Sequence, residues 1–166
     1  MNNFEYRVNL VDDYLNKLKL SNDIIDYFKG RNILVTGGAG AIGSNLVTVL
    51  SKLVGDEGMI IVLDNLSAVK GSEPIDLPPL SNMLFVNGDV RNDIDLKRVF
   101  REKPTIVYHL AAFFANQNSV DYPESSADVD IQGMIKLLDL SQFTGVDRFI
   151  YASSGCAIYG SYGEMP

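Results

Sequence analysis

The sequence predicts an α/β protein, a doubly wound parallel sheet covered by helices on both faces. Three observations carry this. Short apolar runs alternate with segments of helical period, the runs lack the polar alternation of a half-exposed strand, and a glycine cluster joins the first run to the helix after it. With 166 residues, 46% of them hydrophobic and 21% charged, the chain suits one domain with a core that needs no staple.

Residues 1–30 carry Val11, Tyr14, Leu15 and Leu18 at offsets of three and four, and Ile24, Ile25 and Phe28 repeat the spacing. This predicts two short amphipathic helices forming a packing arm, with Ser21 or Asn22 as N-cap of the second and Gly30 as its stop. At Arg31 the character changes. Residues 32–36 (NILVT) predict a strand and residues 41–54 a helix, and 59–63 a second strand. Residues 64–82, with three prolines among Gly and Ser, predict a long loop outside the core. Strands follow at 83–87, 105–110 and 148–152, with helices at 93–101 and 126–142. Parallel neighbours need crossover connections, which this alternation supplies.

Charge and composition exclude several classes of function. A net charge of −7 and a pI near 4.6 oppose a nucleic-acid partner, which calls for clustered Lys and Arg. Small anions can still bind through backbone donors. One cysteine, Cys156, and one histidine, His109, make neither a disulfide scaffold nor a zinc site of the usual His and Cys ligands. No apolar run reaches the roughly 18–20 residues of a membrane helix, and the N-terminus lacks the basic start and apolar centre of a signal peptide. A cytoplasmic protein without a membrane partner is expected.

The strongest motif is TGGAGAIG, residues 36–43, which follows the first strand and opens the next helix. Gly38-x-Gly40-x-x-Gly43, with Gly37 ahead of it, is therefore in the context of a Rossmann-like dinucleotide loop. Glycines there permit a tight turn, a close backbone approach to a diphosphate and close helix packing. Free amides and the dipole of the helix N-terminus then hold the phosphates. No Lys-Ser or Lys-Thr follows these glycines, which disfavours a nucleoside triphosphate loop. Asp64, about 20 residues on, reads as an acceptor for ribose hydroxyls or as a turn residue. In the first role its charge repels a 2′-phosphate, favouring NAD over NADP, with Lys70 as a softening influence. Asp89, ending the third strand in NGDVRND, reads either as an acceptor for the adenine amino group, with Val90 covering the ring, or as a strand-end turn.

Five segments in order, TGGAGAIGSNL (36–46), LDNLS (63–67), GDVRN (88–92), YHLAA (108–112) and FIYASSGCAIYG (149–160), resemble the extended short-chain dehydrogenase/reductases of the NAD-dependent nucleotide-sugar epimerase/dehydratase family, most nearly the UDP-sugar 4-epimerases. The resemblance covers residues 31–166, and the arm has no counterpart in it. It implies cofactor contacts from Gly37, Gly40, Ala41, Ile42 and Gly43 in the loop, and from Asp64, Asn65, Leu66 and Ser67 after the second strand. Asp89 and Val90 after the third strand and Leu110, Ala111 and Ala112 after the fourth complete the set, the last three lining the cofactor's centre. It also implies that Ser153 and Ser154 lie beside the nicotinamide. Ser154 matches the catalytic serine or threonine, and GCAIYG is one residue longer than the common form, which leaves the choice between the two serines open. His109 reads as a packed core histidine rather than a general base, and Phe113, Phe114, Asn116 and Gln117 as lining the sugar side or as ordinary loop packing. Asp130 stands where the family usually has an asparagine that fixes backbone geometry near the active site. An ionised carboxylate cannot donate, which alters that bridge.

The family's Tyr-x-x-x-Lys pair, which exchanges the proton and holds the nicotinamide ribose, does not occur: Tyr27 is followed four residues on by Arg31, Tyr151 by Gly155, Tyr159 by Gly163 and Tyr162 by Pro166. The chain therefore reads as the cofactor half of an NAD-dependent sugar-nucleotide epimerase or dehydratase, with a sheet incomplete at its C-terminal side and no turnover of its own. The other readings are a catalytically silent NAD-binding regulatory module and the cofactor half of another short-chain oxidoreductase. An exposed sheet edge or apolar patch is expected, favouring self-association as a homodimer.

Overall fold

The computed structural model describes residues 3–67, 77–113 and 116–153. Five parallel strands form one sheet: β1 (Asn32–Thr36), β2 (Met59–Asp64), β3 (Met83–Asn87), β4 (Ile106–His109) and β5 (Arg148–Tyr151), in the order β3-β2-β1-β4-β5. Strand order reverses beside β1, whose Thr36 pairs with Leu63 on one side and His109 on the other. This is the switch point at which open α/β sheets bind ligands beyond their carboxyl ends.

Successive β1 residues point to opposite faces, and both faces are closed. Ile33 and Val35 join Ile60, Val62, Val47, Leu50 and Val54 in one core, under helix α3 (Ala41–Val54). Leu34 joins Ile61, Leu63, Leu96, Val99, Val107 and Leu137 in the other, under helices α4 (Asp93–Phe100) and α7 (Gly133–Thr144). Two covered faces explain the continuous apolar runs.

The arm forms helices α1 (Asn3–Leu18) and α2 (Asn22–Phe28). Ser21 holds the N-cap position of α2 without a side-chain cap bond; its carbonyl instead accepts from the amides of Ile24 and Ile25. Gly30, at φ 70°, turns the chain into β1. The arm lies along α3: Arg7 donates to Ser44 Oγ at 3.0 Å and Lys52 pairs with Asp12 at 3.1 Å. Its other end is held by Arg31, which stacks over the Tyr27 ring at 4.4 Å and bonds Asp147 at 2.6 Å.

Two features depart from the sequence reading, and the exposed edge at β5 agrees with it. Of the expected loop outside the core, Leu77 is 9% exposed and packs with the α3-side core. Helix α5 (Asn116–Asp121) precedes the expected helix, which runs as α6 (Pro123–Ser126), a π-helical turn (Ala127–Gln132) and α7. Gly133 sits at the join, where a Cβ would come 2.8 Å from Val90 Cγ2. Strand β5 pairs only with β4 among the described residues, and Tyr151 at its end is 55% exposed.

Candidate functional site: a dinucleotide cradle at the carboxyl edge of the sheet

The loop between β1 and α3 is shaped by four glycines. Gly37 makes the turn: its φ is 70°, and a Cβ there would lie 2.6 Å from the Ala111 amide nitrogen. Gly38 is a buried packing position, where a Cβ would meet Val62 Cγ1 at 2.7 Å. A Cβ on Gly43 would overlap the Gly37 carbonyl oxygen. The working spacing is thus Gly37-x-x-Gly40-x-x-Gly43. Gly40 caps α3 in an extended conformation, and its carbonyl accepts from Ser44. Among the described residues, the amides of Ala41, Ile42 and Gly43 meet no acceptor. Ala41 and Ile42 are exposed, Ile42 at 74%. Three donors at the positive end of a helix dipole, flanked by Gly37 and Gly40, form a cradle that fits a diphosphate.

At the ends of β2 and β3 lies an acidic, internally bonded rim. Asp64 accepts from the Ala39 amide through Oδ2 (2.9 Å) and from the Leu66 amide through Oδ1 (2.8 Å), clasping the glycine loop to β2. The second bond holds Leu66 in the left-handed region at φ 58°, a conformation that costs energy without glycine and is found where a chain turns about a ligand. A carboxylate has about four acceptor sites, so both amides leave room for ribose hydroxyls. Asn65 accepts from the Ser67 amide at 3.0 Å and donates to Asp89 Oδ2 at 2.8 Å. Asp89 is spent on Arg91, which bonds it through Nε (2.9 Å), Nη2 (2.8 Å) and its own amide (2.9 Å). The Arg91 side chain is the main reason that the Asp89 carboxyl titrates at about 2. Val90 is 5% exposed in the α4-side core, where it packs against Gly133.

Beyond β4 and β5, buried polar groups tie the strand ends together. His109 is 1% exposed, and its Nδ1 lies 2.6 Å from Thr36 Oγ1. Thr36 Oγ1 also accepts from the Ala111 amide at 3.3 Å, and the Leu110 amide donates to the Thr36 carbonyl. Burial drives the His109 ring down to about 4, with Asp130 opposing weakly, so the ring is neutral at pH 7. Ala112 is exposed. Asp130, in the π-helical turn, accepts from the Phe113 amide through Oδ1 (2.8 Å) and from Ser126 Oγ through Oδ2 (2.9 Å). The carboxylate therefore bridges the Phe113 amide and the Ser126 hydroxyl, accepting from both. Ser153 is exposed just past β5, and Ala152 bonds the His109 carbonyl. Gln117 donates to Asp121 at 2.9 Å within α5. Ser154, Phe114, Lys70 and Cys156 lie outside the described residues.

Thr36, Gly37, His109 and Ala111 thus meet at the switch between β1 and β4, and Asp64 holds the glycine loop from the β2 side. Sequence reasoning missed the contacts Asp64–Ala39 and Asp130–Phe113, because each pairs a side chain with a backbone amide on another element. It also missed Arg91; the only signal was its place two residues after Asp89 in a strand-end turn.

Comparison with known proteins agrees with this geometry. The sequence profile of the NAD dependent epimerase/dehydratase family matches residues 33–166. The UDP-glucose 4-epimerase of Mycolicibacterium smegmatis is 35% identical over 134 residues, which are 80% of this chain and 42% of that protein. The structure of an epimerase from Methanothermobacter thermautotrophicus is 47% identical, with a TM-score of 0.79, over 87% of this chain and 41% of that one. The Thermus thermophilus UDP-glucose 4-epimerase, solved with NAD, is 36% identical with a TM-score of 0.67, over 80% of this chain and 40% of that one. The chain spans about two fifths of the length of these relatives. With a glycine cradle at the switch point and the family profile matched from β1 onward, the chain belongs to the NAD dependent epimerase/dehydratase family.

Proposed function

We propose that this chain is the NAD-binding portion of a nucleotide-sugar epimerase or dehydratase of the UDP-glucose 4-epimerase kind. The observation that carries the reading is the row of amides at Ala41, Ile42 and Gly43, which meet no acceptor among the described residues, beside the Gly37 turn. In this reading those amides and Gly40 bind the diphosphate. Asp64 takes ribose hydroxyls with its remaining lone pairs, while Asn65, Leu66 and Ser67 shape the rim that receives the adenosine. Asp89 serves mainly to hold Asn65 and Arg91 in place. Leu110, Ala111 and Ala112 offer a low wall to the other half of the dinucleotide, and Asp130 fixes the chain that follows it. NAD, when bound, supplies a hydride acceptor for a sugar carbinol carbon and returns the hydride later. Ser153, just past β5, and Ser154, the next residue in the sequence, hydrogen-bond the sugar hydroxyl whose proton is exchanged.

The 166-residue chain holds no tyrosine followed four residues on by lysine, so by itself it binds NAD and does not turn over. Calorimetry with NAD, followed by incubation with UDP-glucose, tests both halves: saturable binding without product is expected. Absence of binding overturns the cofactor reading, and sustained formation of an epimer overturns the requirement for that pair.

A further inference from the structure

We propose that Asp130 is a specificity-determining residue that makes the site favour NAD in its oxidised, positively charged form over the reduced form. The inference rests on the NAD-binding reading above. A dinucleotide at a switch point lies across it, with the ribose-binding acid after β2 marking the adenosine half. Asp64 fills that place, so the nicotinamide half lies over the ends of β4 and β5. Asp130 is fastened there: Oδ1 holds the Phe113 amide at 2.8 Å, four residues past the end of β4, and Oδ2 holds Ser126 Oγ at 2.9 Å. It lies in a π-helical turn, a geometry that recurs at functional sites.

The surrounding charge is one-sided. From Pro104 to Ile135 the sequence has no Lys or Arg, but it has Asp121, Glu124, Asp128 and Asp130. The cations facing this segment from other elements are committed elsewhere: Arg91 to Asp89, with a further attraction to Asp128, and Lys136 to Asp93 at 2.7 Å. Among the described residues no cation lies within ion-pair distance of Asp130. His109, whose ring feels the Asp130 charge, is neutral at pH 7. The nicotinamide ring is cationic when oxidised and neutral when reduced, so the carboxylate's attraction acts on one form only.

The test measures the dissociation constants of the full chain for oxidised and reduced NAD, in the wild type and in Asp130→Asn and Asp130→Glu. Asp130→Asn should cut the preference for the oxidised form by about two- to fivefold, as expected for one unit charge within a Debye length. Asp130→Glu should keep the preference even where both affinities fall. Loss of both affinities by the same factor in Asp130→Asn would reduce Asp130 to a structural bridge and overturn the inference. A wild type that binds neither form would overturn the NAD reading itself, and this inference with it.

Discussion

His109 makes the site's polar core sensitive to acid by an amount that can be worked out. The ring is 1% exposed and titrates at about 4, against 6.5 for an ordinary histidine, because burial disfavours its charged form. Between these values the unfolded chain binds a proton that the folded chain does not, so stability is full above pH 6.5 and falls as the pH drops toward 4. At 1.36 kcal/mol per pH unit the loss is about 2 kcal/mol by pH 5 and levels off near 3 kcal/mol below pH 4. Asp89 does not contribute in this window. Its lowered pKa of about 2 gives a stabilisation present above its ordinary 3.8 and lost only as the pH falls through 2. The assay is urea unfolding at pH 5, 6, 7 and 8 for the wild type and His109→Gln, whose amide can still bond Thr36 Oγ1. The wild type should lose about 2 kcal/mol between pH 8 and pH 5, and the variant should lack this component. Parallel pH profiles for the two proteins would refute the assignment. The same step should weaken NAD binding, because Thr36 Oγ1 links His109 to Ala111 and to the start of the glycine loop.

Two further predictions concern the cradle. Gly40→Val leaves φ at an accessible −74° but adds atoms where the first Cβ already lies 3.3 Å from the Gly37 carbonyl, so NAD affinity should fall at least tenfold in calorimetry while the circular dichroism spectrum is kept. Asp64→Asn leaves one oxygen for two amides, so it should cost about 1 kcal/mol in urea unfolding and should also narrow the preference for NAD over NADP, read as a ratio of dissociation constants.

The strands were legible because each is apolar on both sides, as in Ile33, Leu34 and Val35, and a buried parallel strand leaves that mark whatever its neighbours. The cradle was legible as a glycine cluster between a strand and a helix, with Gly37, Gly40 and Gly43 among its expected contacts, but the separate task of each glycine was not. What selects Gly37 as the turn is the Ala111 amide 74 residues away, and what buries Gly38 is Val62. Val90 drew notice because it follows Asp89, whereas its packing against Gly133 left no local signal. Asp130 drew notice only as a departure from a family pattern. Its bond to Phe113 depends on the π-helical turn, which rests on packing and leaves no local sequence signal.

The most direct test follows the backbone amides of Ala41, Ile42 and Gly43 by nuclear magnetic resonance as NAD is added to the isotope-labelled chain. These three resonances should move furthest and saturate together with the Asp64 and Leu66 amides. If they stay in place at saturating NAD while others shift, the diphosphate lies elsewhere and the cradle is only a tight turn.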